Sequence, residues 1–155
     1  MAIGDAFSQT EGHIVRRKGS AMEDGASAEI RNVLMRYAAA WRAGDLQAIA
    51  SCYHDDFTLH YFGTSPLAGV HRGKGAALTV LADFSRRSRR RLVEISDIAV
   101  GATRGVILVR EELSIGGRPV EVDRTLIYAV RDSLLAECWV LDQDQRLIDE
   151  MLQQG

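Results

Sequence analysis

The sequence predicts an α+β domain in which three helices pack on one face of a curved, mostly antiparallel sheet and leave a conical hollow. Three observations predict it. Apolar residues recur at helical spacing as far as Phe84 and alternate from Leu92 onward, so helices precede a run of strands. Short turn signals separate the strand candidates, as in a meander. The 155 residues, 46% apolar and 26% charged, suffice for one domain whose core needs no staple.

Residues 1–26 carry Gly4, Gly12, Gly19 and Gly25 without a sustained period. They read as a flexible N-terminal arm, or as a short helix packed on a neighbour, ahead of a domain spanning 27–155. Ile30, Val33, Leu34, Tyr37, Ala38 and Trp41 form one helical stripe, with Ser27 as N-cap and Gly44 as the stop. Asp45 then caps a second helix with Leu46, Ile49, Ala50 and Tyr53 on its inner face, broken by Asp55 and Asp56. Residues 57–62, β-branched and aromatic, predict a strand, and Gly63 to Gly73 a loop. A third helix carries Ala77, Leu78, Leu81 and Phe84 and ends in the basic run from Arg86 to Arg91. Four strands follow over 92–100, 106–115, 120–130 and 134–143, with Gly116-Gly117 and Arg131-Asp132-Ser133 as hairpin turns.

Composition excludes several function classes. A net charge of −2 offers no general attraction for nucleic acid or an anionic membrane, and no apolar run approaches the ~18 residues of a membrane span. The basic run lacks interleaved aromatics and reads as a solvated helix end, favoured by the helix dipole. Cys52 and Cys138 stand alone in apolar stretches, as reduced core thiols do, and no secretory signal precedes the domain, so the expected setting is cytoplasmic. His13, His54, His60 and His71 are scattered, and no metal or cofactor is expected. Phosphate loops, nucleophile elbows and dinucleotide fingerprints are absent.

Tyr37…Trp41…Gly44-Asp45, Tyr53-His54-Asp55-Asp56-Phe57, and His60 through Pro66-Leu67-Ala68-Gly69 to Arg72-Gly73, taken in order, resemble the SnoaL-like branch of the nuclear transport factor 2-like superfamily. Asp132-Ser133-Leu134…Glu137…Trp139 resembles the branch's later hairpin, and Asp142-Gln143 and Asp149-Glu150 fit its tail. The likeness runs from about Ile30 to Leu152. It implies a cone-shaped α+β barrel, a pocket at its open end, and frequently a homodimer formed sheet to sheet. The superfamily includes cyclases, isomerases, dehydratases, epoxide hydrolases and binding proteins, so the fold alone does not choose a chemistry.

Among candidate residues, Arg110 and Glu112 lie two apart in a strand and so share a face with Val106 and Leu108. Arg110-Glu111-Glu112 resembles a Glu variant of the Arg-x-Asp of limonene epoxide hydrolase-like enzymes. The further acid of those enzymes would fall near Leu141, with Asp142 next door on the other face, which weighs against epoxide hydrolysis. The competing reading of the pair is a surface salt bridge of little energetic weight. His60 matches the family loop, and an imidazole suits general acid or base work; the plainer reading is a loop-anchoring hydrogen bond. His60 and Tyr61 alternate, so only one of them faces the hollow.

In ketosteroid isomerase-like relatives the base would fall near Tyr61 and a buried acid near Thr125 or Leu126, so that isomerisation is not expected. Tyr37 matches an oxyanion-binding tyrosine of those relatives. Tyr37, Trp41, Tyr61, Tyr128 and Trp139 are expected to shape core and pocket together. Arg124, on a face with Val122, Leu126 and Tyr128, is expected to meet an anionic ligand or to pair with Glu112. The expected activity is therefore cofactor-independent acid–base chemistry on a small apolar or amphipathic molecule. Glu112 and His60 would serve as acid or base and Arg110 as charge stabiliser. The alternatives are a non-catalytic binding module or a partner-docking dimer, the latter favoured if Arg110 and Glu112 face outward.

Overall fold

The apolar stripe and the alternating strands fold together in the computed structural model, which describes residues 19–154. The chain runs α1 (Gly19–Ala43), α2 (Leu46–Ser51), β1 (Tyr53–Tyr61), β2 (Gly69–Arg72), α3 (Lys74–Ser88), β3 (Arg91–Val100), β4 (Gly105–Ile115), β5 (Arg118–Arg131), β6 (Leu134–Asp142) and α4 (Gln145–Gln153). The strands form one curved, unclosed sheet in the order β2-β1-β6-β5-β4-β3. Only β1 and β6 pair in parallel; the other neighbours are antiparallel.

One face of this sheet meets the helices. Ile30, Val33, Leu34, Tyr37 and Ala38 of α1 are buried, as the stripe requires. They lie over Ile107 and Val109 of β4, Leu126 and Tyr128 of β5, and Phe57 and Leu59 of β1 in one continuous core. A Cβ on Gly105 would collide with Ile30 and Leu34, so glycine there lets α1 approach the sheet. Asp132 and Ser133 turn with φ of 54° and 55° and Gly116 and Gly117 with 58° and 77°, the left-handed geometry of two-residue hairpins.

Five expectations change. Helix α1 starts at Gly19, so residues 19–26 of the expected arm are helical, while 1–18 lie outside the described residues. Ser27 accordingly lies inside α1 rather than capping it, and its hydroxyl donates to the Gly101 carbonyl at 3.1 Å. Tyr53 opens β1 instead of closing the second helix, and β1 runs through Asp55 and Asp56 with an irregular register before Thr58. The expected loop contains β2, antiparallel to β1. A fourth helix, α4, is capped by Asp144, whose Oδ1 accepts from the Leu147 N–H at 3.0 Å, and it buries Ile148, Met151 and Leu152. Asp149 of α4 accepts from the Thr64 and Ser65 amides and so fixes the loop after β1. Among the described residues no helix is long and apolar enough to cross a membrane.

Candidate active site

The inner face carries polar groups where four strands converge. On β4 the buried side chains are those of Ile107, Val109, Glu111 and Leu113, in register with buried Gly105, and on β5 they are Val122, Arg124, Leu126 and Tyr128. Arg124 sits opposite Val109 and Asp142, one alternation from Glu111, which places it between two acids. Its Nη1 donates to Glu111 Oε2 at 2.9 Å, its Nε to Asp142 Oδ1 at 2.5 Å and its Nη2 to the Tyr61 hydroxyl at 2.9 Å. The Phe84 ring covers the guanidinium, 4.4 Å from centroid to Cζ. Burial alone would disfavour the charge on Arg124, but the surrounding Tyr61, Asp142 and Glu111 outweigh it and hold its pKa well above the usual value. Burial pushes the Tyr61 phenol up to about 12, with Arg124 pulling the other way.

Glu111 is 1% exposed, and its Oε1 has no hydrogen-bond partner among the described residues. Beside that oxygen lies Arg90, whose Nη1 is 3.6 Å from it. Arg89 adopts a left-handed conformation (φ 48°) at the end of α3, and Arg90 follows it back over the hollow. There Arg90 Nε donates to the Ser85 hydroxyl at 2.7 Å and its guanidinium lies over Phe84.

Glu111 and Arg90 border a cavity of about 420 Å³ between α1, α2, α3 and the sheet, walled by Tyr37, Trp41, Leu78 and Leu81. Behind it a void of about 30 Å³, room for little more than water, reaches Arg124, Tyr128 and Cys138. Tyr37 and Tyr53 line both spaces, and the Tyr53 hydroxyl donates to that of Tyr37 at 2.9 Å. Burial raises the pKa values of Tyr37, Tyr53 and Tyr128, so these phenols keep their protons through neutral pH. Burial likewise pushes the Cys138 thiol up to about 12. A hollow of similar volume, about 430 Å³, lies on the outer face, but there Arg110 and Asp123 already pair with each other at 2.9 Å.

Of the sequence-predicted residues, Tyr37, Trp41, Tyr61, Arg124 and Tyr128 face inward. Glu112 does not: it lies on the outer face and pairs with Arg91 at 3.1 Å. Arg110 is outward too, against Asp123. His60 stacks on Trp139 on the outer face, rings 4.9 Å apart and 9° from parallel, with Nε2 2.7 Å from Glu137 Oε2. Trp139 therefore does not shape the pocket; Arg104 lies over it from outside. The expected pairing of Arg124 with Glu112 is replaced by pairing with Glu111. Sequence reasoning missed Glu111, Asp142, Tyr53 and Arg90. The signal for Glu111 was present: Ile107, Val109, Leu113 and Ile115 share its parity, whereas only Val106 and Leu108 share that of Glu112. Arg90 had no such signal, because its direction depends on the turn at Arg89. Among the described residues no group of three or more His, Cys, Asp or Glu could hold a metal ion.

Known proteins share this framework. Bal32a, from a soil-derived mobile gene cassette, superimposes with a TM-score of 0.70 at 17% identity, over 82% of this chain and 98% of its own. A protein of cystatin-like fold from Xanthomonas campestris gives 0.72 at 18% identity, covering 79% and 97%. A proposed polyketide cyclase from Sinorhizobium meliloti gives 0.57 at 16% identity, covering 74% and 98%. No curated protein matches the sequence. The SnoaL-like domain model matches residues 34–138, from the middle of α1 to the middle of β6, and the chain belongs to the SnoaL-like domain family.

Proposed function

We propose that this protein is a cofactor-independent enzyme that moves a proton on a small, largely apolar molecule, with Glu111 as its acid–base group. One observation carries the reading: Glu111 is a buried acid with one oxygen held by Arg124 and the other unpartnered beside an apolar cavity. An unpartnered buried oxygen costs stability, and a site that receives a proton from a ligand is a physical reason to keep one. In the corresponding step, a C–H bond beside a carbonyl breaks and its proton passes to Glu111 Oε1. The electron pair moves to the carbonyl oxygen as an enolate. Tyr37 accepts a hydrogen bond from Tyr53, which leaves its own hydroxyl proton for that oxygen. In an unsaturated ketone, returning the proton from Glu111 to the γ-carbon yields isomerisation. Where the molecule carries a second carbonyl, the enolate carbon adds to it, that C=O opens to an alkoxide that takes the proton back from Glu111, and the product is cyclised. The likeness of fold to a proposed polyketide cyclase is in keeping with this class.

Proton exchange into 2-tetralone in D₂O, followed by NMR, tests the reading. The protein is expected to accelerate loss of the α-protons, and Glu111→Gln to lower that rate by about 10²-fold or more. Unchanged exchange in folded Glu111→Gln would remove Glu111 from the role.

A second reading, pairing of two copies through the outer face of the sheet, draws on Arg110, Glu112 and Trp139 facing outward beside exposed Leu108 and Leu141. Sedimentation velocity is expected to show a dimer that Leu108→Glu dissociates; a monomer at all concentrations ends this reading.

A further inference from the structure

We propose that the gap between Arg90 and Glu111 is a subsite for one ligand hydroxyl, and that the cavity selects hydroxyl compounds carried on an apolar, ring-sized body. The inference rests on the cavity being a ligand site and adds the chemistry of what it takes. Glu111 Oε1 is an acceptor without a donor. Arg90 Nη1 lies 3.6 Å from it, too far for a hydrogen bond, and among the described residues only the Nε of Arg90 donates one, to Ser85. One wall therefore presents an acceptor and a donor side by side, neither satisfied by the other.

A hydroxyl complements both at once, since it donates one hydrogen bond and accepts from another group. An ether or ketone answers Arg90 and leaves Glu111 unpartnered. An amine that only donates does the reverse, and a carboxylate has no proton to offer Glu111. The remaining walls admit few other polar anchors: Trp41, Leu46, Ile49, Leu78, Leu81 and Leu92 are apolar. A cavity of about 420 Å³ falls within the range of small-molecule sites. An apolar body packed on those walls would bring its hydroxyl to the Arg90–Glu111 pair. The contacts are charge-assisted on both sides, the stronger class of hydrogen bond.

Binding of 2-naphthol, 2-methoxynaphthalene, naphthalene and 2-naphthoate, measured by calorimetry at pH 7 on the full chain, tests the proposal. The naphthol is expected to bind tighter than its methyl ether and than naphthoate by about tenfold or more. Arg90→Met is expected to remove most of that margin, read as the ratio of naphthol to methyl-ether affinity within the variant, with retained naphthalene binding as the sign that the cavity is intact. The ranking in the unmodified protein is decisive by itself, so the test does not depend on the variant folding. If the ether or naphthoate binds as tightly as the naphthol, the hydroxyl subsite is overturned and the cavity stands as a ligand site. If none of the four binds, both the subsite and the ligand cavity fall.

Discussion

Glu111 and Glu112 are chemically identical neighbours on β4 with opposite surroundings. Glu111 is buried among Arg124, Arg90 and the cavity wall; Glu112 lies on the other face, partly in solvent, beside Arg91. The same contrast separates the two arginines, Arg124 under the Phe84 ring with its three nitrogens engaged, and Arg110 at the surface against Asp123. The difference teaches that parity along a strand, rather than residue type, decides which of these side chains can do chemistry. A charged group in low dielectric interacts strongly and must be paired; the same group in water is screened and contributes little.

Four measurements break or sharpen this contrast. The largest effect is expected from Arg124→Met, which leaves Glu111 and Asp142 buried without their cation and should cost about 3–5 kcal/mol in chemical denaturation. The outer counterpart, Arg110→Met, is expected to leave the denaturation midpoint unmoved. If the two variants are equally stable, the inner ion-pair network is not what the contrast claims. Truncation of apolar residues should follow the same rule. Leu113→Ala, fully buried, is expected to cost about 2–5 kcal/mol, and half-exposed Leu108→Ala well under that.

The third measurement is an alkaline titration. The chain's four tyrosines, Tyr37, Tyr53, Tyr61 and Tyr128, are all pushed upward by burial, Tyr61 to about 12. Between the unfolded pKa near 10 and the raised folded value, the unfolded chain loses phenolic protons that the folded one keeps. The tyrosines' contribution to stability is thus constant below about pH 10 and falls above it, by roughly 2–3 kcal/mol from Tyr61 alone once pH passes 12. Tyrosinate absorbance near 295 nm should therefore appear only as the fold opens; a phenol titrating near 10 in the folded protein would contradict the buried cluster. The smallest effect is expected at Glu112→Gln, about 0.5 kcal/mol or less, with no change in 2-tetralone exchange.

Much of the architecture was legible in the sequence. The stripe from Ile30 to Trp41 and the alternation after Leu92 are local periodic patterns, and burial of one face follows from them directly. Helix α4 was overlooked although Asp144 and the spacing of Ile148, Met151 and Leu152 mark it, because nine residues offer barely two turns of pattern. For β4 both parities begin with apolar residues, and only extending the count to Leu113 and Ile115 selects the inner face. His60 and Tyr61 posed the same choice, and the buried series Phe57, Leu59 and Tyr61 resolves it in favour of the tyrosine.

The sequence by itself determined most of the elements and their order, β2 and α4 excepted, because hydrophobic period and turn chemistry act over a few residues at a time. The tertiary structure decided which groups meet. Glu111, Arg124, Asp142 and Tyr61 come from four strands, and their contacts depend on sheet order and register. Arg90 reaches Glu111 from a helix end because a left-handed residue turns the chain back across the hollow. Distances between such groups are set by the packing of the whole domain, and no short stretch of sequence contains them.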